Sequence, residues 1–306
     1  MPFLLLLFTL SLSAQQAEYT RVGNPDDVVT KTTPGYVLMG GGKDVEEAFQ
    51  WLIERSGGGD FLVLRASGTP AYNPFVQKLG KVNSAATLIL KTKEQSSDPA
   101  LIDRINKAEA IFLAGGDQWN YIRLWKDTPL GQALQKRIDA GVPIGGTSAG
   151  LAVLGEYYFS AEHDTVTSEE ALQNPFDEKV SLGSGFLQIK ILKSIITDSH
   201  FTPRKRIGRL AVFLARLPKT KGIGIDEATA LLVEPSGQSK VVGRNQVWFL
   251  QPTNKANHLK PNEPLTIRNI RVQTVSPGQS FNLKSWTGAA TASVLSIESG
   301  LIKTSN

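Results

Sequence analysis

Short apolar runs alternate with amphipathic stretches along the chain from Gly35 to about Glu234. The apolar runs have the length and content of buried strands, and the stretches between them carry apolar residues at helical spacing. The predicted strands are 36–39, 61–64, 86–90, 110–113, 142–144 and 230–233. The predicted helices are 45–55, 99–107, 121–125 and 130–140. This alternation predicts an α/β fold, with a mostly parallel sheet covered by helices on both faces.

The pattern changes after Val233, where turns rich in glycine and proline separate short apolar runs. Two of these runs, 246–250 and 265–272, predict β-hairpins and a meander. The sequence therefore predicts an α/β domain over residues 30–234. It also predicts a β-rich C-terminal extension of the same domain over residues 235–306.

An apolar run fills residues 1–10, and small and polar residues follow at 11–16. This arrangement resembles a short secretory signal peptide over residues 1–16, although no lysine or arginine precedes the apolar run. The run is short for a bilayer span, and it lacks the alternation of a half-buried first strand. We expect export to the periplasm or the medium, with no membrane association after the signal peptide is cleaved.

Composition excludes several classes of site. Of the 306 residues, 41% are apolar and 20% are charged, which is ordinary for a globular protein. There is no cysteine, which excludes disulfides, zinc–thiolate sites and a cysteine nucleophile. The net charge of +5 comes without a nucleic-acid-binding module, so we expect no nucleic-acid partner. Residues 40–44 lack the spacing of a phosphate-binding loop and no H-E-x-x-H occurs, so no metal or cofactor is expected.

A glycine-rich segment at 145–150 contains the motif G-x-S-x-G with Ser148 at its centre. Small residues around a serine permit a sharp turn from a strand into a helix, and such a turn exposes the hydroxyl. A side chain at Gly146 or Gly150 would crowd this turn. Ser148 is then a nucleophile, and the amide of Ala149 faces the oxyanion that forms on attack. Alternatively, the serine only caps the helix that follows.

A nucleophilic serine needs a base, and the chain has three histidines, at 163, 200 and 258. His258 lies in a polar stretch typical of an exposed loop. His163 lies in an acidic loop without the helical spacing of metal ligands. His200 follows the apolar-rich run 189–196, where a strand end delivers a general base to the catalytic edge of a sheet. The alternative for His200 is a buried structural histidine beside Phe201.

Two segments after His200 carry charged residues that bear on the site. Arg204, Arg206 and Arg209 lie at the start of a predicted helix, where the second and third share a face. Their planar guanidinium groups suit carboxylate recognition; the alternative is a solvated cationic helix. Asp226 and Glu227 end another β-like run. Either acid can orient the imidazole of the base. The alternative is that the pair lies in a surface turn.

Five short strings occur in order along the chain. They are Gly115-Gly116-Asp117-Gln118, Gly146-Thr147-Ser148-Ala149-Gly150, Asp198-Ser199-His200-Phe201, Arg204-x-Arg206-x-x-Arg209 and Gly224-Ile225-Asp226-Glu227. Over roughly residues 35–235, they resemble the cyanophycinase branch of the serine peptidases related to dipeptidase E. The resemblance implies a three-layer αβα sandwich like that of class I glutamine amidotransferases, and it implies a homodimer.

The resemblance also implies roles for individual residues. Ser148 is the implied nucleophile, His200 the general base and acid, and Glu227 the residue that orients the imidazole. The amides of Gly116 and Ala149 form the implied oxyanion hole, with Gly115 as the alternative to Gly116. The residues implied to line the substrate pocket are Gln118, Asp198, Ser199, Arg204, Arg206 and Arg209.

The implied substrate is a polymer of β-linked aspartyl-arginine units, from which such enzymes release β-aspartyl-arginine dipeptides. Ser199 departs from the pattern, because characterised members have a glutamine there that contacts substrate. A shorter side chain removes a donor and enlarges the pocket, so the exact substrate stays open. The alternatives are an aspartyl dipeptidase or isoaspartyl peptidase acting on short peptides, and a non-catalytic peptide-binding protein, which would predict a damaged triad.

Overall fold

The computed structural model describes residues 17–305, so the predicted signal peptide at 1–16 lies outside the described residues. The helices are α1 (Glu46–Arg55), α2 (Tyr72–Leu79), α3 (Pro99–Lys107), α4 (Gln118–Trp125), α5 (Pro129–Asp139), α6 (Ala149–Ala152), α7 (Ser168–Gln173) and α8 (Ile207–Arg216). Within this described range, none of the helices has the length and apolar content that a membrane span requires.

The strands of the described residues fall into two sheets. In chain order they are β1 (Glu18–Gly23), β2 (Tyr36–Met39), β3 (Asp60–Arg65), β4 (Ser84–Ile89), β5 (Ala110–Leu113), β6 (Ile144–Thr147), β7 (Tyr157–Phe159), β8 (Leu182–Ser184), β9 (Ile195–Asp198), β10 (Lys221–Ile225), β11 (Thr229–Val233), β12 (Gln238–Gly243), β13 (Val247–Pro252), β14 (Ile267–Val275), β15 (Ser280–Asn282), β16 (Thr287–Gly288), β17 (Thr291–Glu298) and β18 (Leu301–Ser305).

The first sheet has the order β1-β4-β3-β5-β6-β2-β11-β12-β15-β16. Its central strands β4, β3, β5, β6 and β2 are parallel to one another. Apolar residues of α1 and α2 pack on one face of these strands. Those of α3, α4 and α5 pack on the other face. The predicted α/β class is confirmed, and the ends of β5, β6 and β2 lie side by side at one edge of the sheet.

The second sheet, β18-β17-β14-β13-β10-β9-β7-β8, departs from the prediction of one mostly parallel sheet. In it β9 runs parallel to β10 and β7, whereas the remaining pairs are antiparallel. Helices α7 and α8 pack on one face of this sheet. Its other face joins the core of the first sheet, where Phe249 stacks on Phe281 with ring centroids 3.8 Å apart.

Two predicted strands differ in detail. The strand expected at 230–233 is β11, but it pairs antiparallel with β2 instead of extending the parallel ladder. The strand expected at 142–144 starts at Ile144 and continues into the glycine-rich segment. Gly145 fits in this strand because a Cβ there would lie 2.9 Å from the Cβ of Val37 and 3.0 Å from Leu52 of α1.

The residues after Val233 contribute strands to both sheets. Strands β12, β15 and β16 continue the first sheet, and β13, β14, β17 and β18 form one side of the second. Trp286 lies 5.5 Å from both Phe249 and Phe281 between ring centroids, in edge-on contacts. The C-terminal part of the chain is therefore packed into the same core as the parallel strands.

A buried carboxyl group beside β5 is expected to make stability depend on pH. Glu109 is 4% exposed and accepts a hydrogen bond from the amide of Asp60 at 2.8 Å. Burial, with a smaller contribution from the charge of Asp60, raises the pKa of Glu109 from 4.5 to about 7. The folded protein therefore holds a proton that the unfolded chain has lost, so stability falls as pH rises from about 4.5 to 7.

Glu109→Gln is expected to remove this pH-dependent loss. At pH 8 the variant should gain about 3 kcal/mol in free energy of unfolding, and near pH 4.5 it should gain almost nothing. Urea unfolding at the two pH values measures the difference. Glu169→Gln, on the exposed surface of α7, is the matched control and should leave both values unchanged. If Glu109→Gln had the same free energy of unfolding as the wild type at pH 8, the raised pKa of Glu109 would be contradicted.

Candidate active site

Ser148 occupies a sharp turn between β6 and α6, with φ of 53° and ψ of −112°. Gly146 and Gly150 permit this turn, because a Cβ at Gly146 would lie 2.5 Å from the carbonyl carbon of Gly150. A Cβ at Gly150 would collide with the carbonyl oxygen of Leu113 at the end of β5. The Ser148 hydroxyl makes no capping hydrogen bond to α6, so the capping interpretation is wrong and the hydroxyl is available for chemistry.

A chain of two hydrogen bonds connects the predicted nucleophile, base and acid. Ser148 Oγ lies 2.8 Å from His200 Nε2, and His200 Nδ1 lies 2.6 Å from Glu227 Oε1. Ser148 follows β6 of the first sheet, whereas His200 and Glu227 follow β9 and β10 of the second. Both imidazole nitrogens are thus engaged, and the arrangement is that of a serine nucleophile, a general base and an orienting carboxylate.

The glycines after β2 allow the chain to approach this site closely. His200 has a φ of 45°, and its amide donates to the carbonyl of Gly40 at 2.8 Å. A Cβ at Gly41 would lie 2.5 Å from the Nε2 and Cε1 atoms of His200. A Cβ at Gly42 would lie 2.9 Å from the Cβ of Glu227. Sequence reasoning missed this contact, although the run of three glycines directly after a buried strand was a visible signal.

The electrostatic surroundings keep the imidazole neutral. Burial lowers the pKa of His200 below its ordinary value of 6.5, and the nearby positive charges of Arg204 and Arg206 lower it further. The hydrogen bond to Glu227 and the charge of that carboxylate act in the opposite direction. With a pKa below 6.5, His200 is unprotonated at neutral pH and ready to accept the proton of Ser148.

The acid limb of the pH profile is expected to report this pKa. The value of kcat/KM should rise with pH, with a midpoint below 6.5, because only neutral His200 accepts a proton. Arg204→Gln removes a positive charge that lowers the pKa, so the midpoint should move to higher pH. Lys205→Gln, an equal change of charge at the next exposed position, is the control. Equal shifts in the two variants would show that only net charge matters.

The predicted oxyanion amides lie on two neighbouring loops. Ala149 is the first residue of α6, so its amide has no acceptor within the helix. The loop after β5 lies against the nucleophile, since a Cβ at Gly115 would be 3.5 Å from the Cβ of Ser148. Tyr121 Oη donates to the carbonyl of Ala114 at 2.7 Å and holds this loop. The role of Gly116 and Ala149 in binding an oxyanion stays a prediction.

The arginine cluster is partly committed to an internal ion pair. Arg209 binds Asp198 through two hydrogen bonds, Nε to Oδ2 at 2.8 Å and Nη2 to Oδ1 at 2.6 Å. These two residues are 2% and 3% exposed, and the opposite charge of Arg209 holds the pKa of Asp198 below its ordinary value, against the effect of burial. Arg206 shares the same carboxylate at 3.3 Å, whereas Arg204 is exposed.

The interpretation of a solvated cationic helix is therefore wrong for Arg206 and Arg209, which are buried. Direct contact of Asp198 and Arg209 with substrate stays a prediction, and both side chains are already bonded to each other. Ser199 is 4% exposed, with its hydroxyl 3.4 Å from Arg206 Nη1. Gln118 begins α4, is half-buried, and donates to the carbonyl of Phe159 at 3.4 Å, so it connects α4 to β7 of the second sheet.

Comparison with known proteins agrees with this geometry. A model of peptidase family S51 matches residues 37–241. The chain belongs to peptidase family S51. This S51 family is a family of serine peptidases, so the protein is a serine-type peptidase, and the predicted resemblance is confirmed.

Similar proteins include two cyanophycinases, of Synechococcus elongatus and Thermosynechococcus vestitus. Each is 32% identical to this chain over 282 residues, covering 84% of both proteins. The cyanophycinase of Trichormus variabilis is 31% identical over 201 residues, covering 64% of each protein. A crystal structure of a peptidase from an acI-B1 Actinobacterium shares the fold, with a TM-score of 0.58 and 20% identity over 82% of this chain and 98% of that one.

Proposed function

We propose that this S51 peptidase is an exported exopeptidase that hydrolyses cyanophycin or related β-linked aspartyl peptides and releases β-Asp-Arg dipeptides. The observation that carries the proposal is the hydrogen-bonded chain of Ser148, His200 and Glu227 next to a cluster of arginines. The identity of 32% to cyanophycinases over 84% of both chains supports the substrate class.

The reaction proceeds through an acyl-enzyme. Ser148 Oγ attacks the carbonyl carbon of the scissile amide, and its proton passes to His200 Nε2, 2.8 Å away. Glu227 stabilises the imidazolium through its bond to Nδ1. The amides of Gly116 and Ala149 bind the oxyanion. The imidazolium then protonates the leaving amine, and water, activated by the same base, hydrolyses the ester and frees Ser148.

The arginines provide the binding site for a substrate carboxylate. Two guanidinium groups, of Arg206 and Arg209, face the single carboxylate of Asp198, so the cluster keeps an excess positive charge. Burial and the neighbouring arginines lower the pKa of Arg206 to about 10, and it stays protonated at neutral pH. Arg204 adds an exposed guanidinium beside His200. An aspartyl or chain-terminal carboxylate bound here orients the scissile bond toward Ser148.

Ser199 favours a second candidate, an aspartyl dipeptidase or isoaspartyl peptidase that acts on short peptides. Its hydroxyl lies beside Arg206, at the position where the resemblance implies a longer glutamine side chain in cyanophycinases. Ser199 lacks the side-chain amide of glutamine, so it binds a polymer unit more weakly without altering the triad. A non-catalytic peptide-binding protein is the third hypothesis, and an intact triad speaks against it.

We also propose the remaining properties that the resemblance implies. The fold is a sandwich of the class I glutamine amidotransferase type, and the active protein is a homodimer. The apolar run at residues 1–10 supports export through a cleaved signal peptide. Size-exclusion chromatography with light scattering tests the dimer. N-terminal sequencing of protein recovered outside the cytoplasm tests cleavage near residue 16.

A mass-spectrometric assay tests the activity. Purified mature protein is incubated with cyanophycin, with short β-aspartyl peptides and with their α-linked isomers, beside Ser148→Ala. Release of β-Asp-Arg from the polymer by the wild type alone is the expected result. Cleavage of short peptides alone would favour the dipeptidase hypothesis, and Ser199→Gln should then restore part of the polymer activity. Equal product from wild type and Ser148→Ala would overturn the proposal.

A further inference from the structure

His200 and Glu227 both lie beyond the strand ladder that connects their segments. Strands β9 and β10 pair in parallel, and their register ends at Asp198 opposite Gly224. His200 is two residues past this point, and Glu227 is three residues past it. Because no ladder hydrogen bonds hold the two loops together there, other bonds must fix the imidazole relative to the carboxylate.

The carboxylate of Asp226 makes such bonds. Its Oδ1 atom accepts the amide of Thr202 at 2.8 Å, two residues after His200. Its Oδ2 atom accepts the amide of Gln246 at 3.3 Å and the indole Nε1 of Trp248 at 3.4 Å, both at the start of β13. Asp226 is 5% exposed, so these bonds form away from competing water. One side chain thus connects the loops on both sides of β10.

The backbone near Asp226 places Glu227 in the same unit. The amide of Phe201 donates to the carbonyl of Ile225 at 3.2 Å, and the amide of Asp226 donates to the carbonyl of Gln246 at 3.2 Å. The side chain of Glu227 itself is 37% exposed, so burial alone does not fix its position. A displacement of the Thr202 loop would therefore change the distance between His200 and Glu227.

We infer that Asp226 is a positioning residue, which sets the distance between His200 Nδ1 and Glu227 through its bonds to Thr202, Gln246 and Trp248. His200 has a φ of 45°, a conformation that non-glycine residues keep only where the surroundings fix it. Asp226 supplies part of that constraint without touching the imidazole. The inference rests on the proposed roles of Ser148, His200 and Glu227, and it is independent of the substrate.

The test measures the reactivity of Ser148 with a fluorophosphonate, a serine-directed reagent that needs no peptide substrate. Labelling rates of the full protein are recorded across pH for the wild type, Ser148→Ala and Asp226→Asn. We expect Asp226→Asn to label at least tenfold more slowly. The midpoint of its pH profile should fall, because a weaker bond to Glu227 no longer supports protonated His200 against the charges of Arg204 and Arg206. On a cleaved peptide, kcat should fall with KM within twofold.

Two further variants separate positioning from general loss of stability or charge. Asp60→Asn removes another buried carboxylate that accepts several hydrogen bonds, far from the triad at the start of β3. It should lose stability and keep the wild-type labelling rate and pH profile. Trp248→Phe removes one bond to Asp226 without changing charge, and it should slow labelling and lower the midpoint in the same direction as Asp226→Asn.

Wild-type rates and midpoints in folded Asp226→Asn, or in Trp248→Phe if Asp226→Asn does not fold, would overturn the inference. So would an equal slowing in Asp60→Asn. If wild type and Ser148→Ala label alike, the proposed nucleophile is wrong, and the inference falls with it. If the wild type labels and Ser148→Ala does not, the proposed nucleophile stands. A wild-type rate in Asp226→Asn then counts against the positioning role alone.

Discussion

Ser148→Ala is expected to lower kcat by roughly 10⁵- to 10⁶-fold on any substrate that the protein cleaves, because the proposed mechanism has no other group to form the acyl-enzyme. The fold should be unaffected. The Ser148 hydroxyl makes no capping bond to α6, and it forms a hydrogen bond with His200 Nε2. Single-turnover hydrolysis followed by mass spectrometry measures the loss, and thermal unfolding measures stability.

The matched control is Ser199→Ala, which removes a buried hydroxyl from the same site beside Arg206. It should change KM more than kcat and should leave labelling of Ser148 by a fluorophosphonate intact. If Ser148→Ala kept more than about 1% of the wild-type rate, a nucleophile other than Ser148 would be required. A loss of folded protein in Ser148→Ala would instead assign this serine a structural role.

Gly41→Ala is expected to reduce kcat by about 100-fold or more, because the new methyl group would displace the base. Its Cβ would lie 2.5 Å from His200 Nε2, the atom that bonds to Ser148 Oγ. A shift of about 1 Å in a catalytic group costs on the order of 10²-fold in rate. KM should change little, since Gly41 does not belong to the arginine cluster. Steady-state kinetics and circular dichroism together separate this loss from unfolding.

Backbone strain needs its own control, since Gly41 has a φ of 91° that disfavours any side chain. Gly278 has a similar φ of 83°, and a methyl group added there would meet no heavy atom within 4 Å. Gly278→Ala should therefore show the cost of the backbone conformation alone, about 1 kcal/mol in stability, with normal kcat. A kcat loss of the same size in both variants would show that the contact with His200 is unimportant.

Much of the parallel sheet could be predicted because its strands are continuous apolar runs. Tyr36–Met39 and Ala110–Leu113 match the prediction, the helix Glu46–Arg55 differs from it by one residue at its start, and Pro129–Asp139 differs by one residue at each end. Helices α2, α6 and α7 were not predicted. They have eight residues or fewer, too few for a helical period to stand out.

The second sheet could not be predicted, because an apolar run identifies a strand without identifying its partner. Nothing in residues 195–198 or 221–225 distinguishes membership of a separate sheet from membership of the first. Partner choice depends on long-range packing, and here the aromatic contacts of Phe249, Phe281 and Trp286 join segments far apart in sequence.

The site was more predictable than the architecture around it. Ser148 and His200 each lie in short strings whose residue types carry their chemistry, and the structure joins them at 2.8 Å. The choice between Asp226 and Glu227 was left open by the residue pattern, because adjacent acids in a turn have the same local surroundings. The structure assigns the bond to His200 to Glu227, and it places Asp226 under the neighbouring loop.

The proposed nucleophile and its proposed base come from different sheets, so neither sheet alone carries the complete triad. Ser148 follows β6 of the first sheet, whereas His200 and Glu227 follow β9 and β10 of the second sheet. The rate of hydrolysis therefore depends on how the two sheets pack against each other, and a shift of about 1 Å between Ser148 and His200 should lower it by on the order of 10²-fold. Any change that moves the two sheets relative to each other would alter peptide cleavage without contact with Ser148.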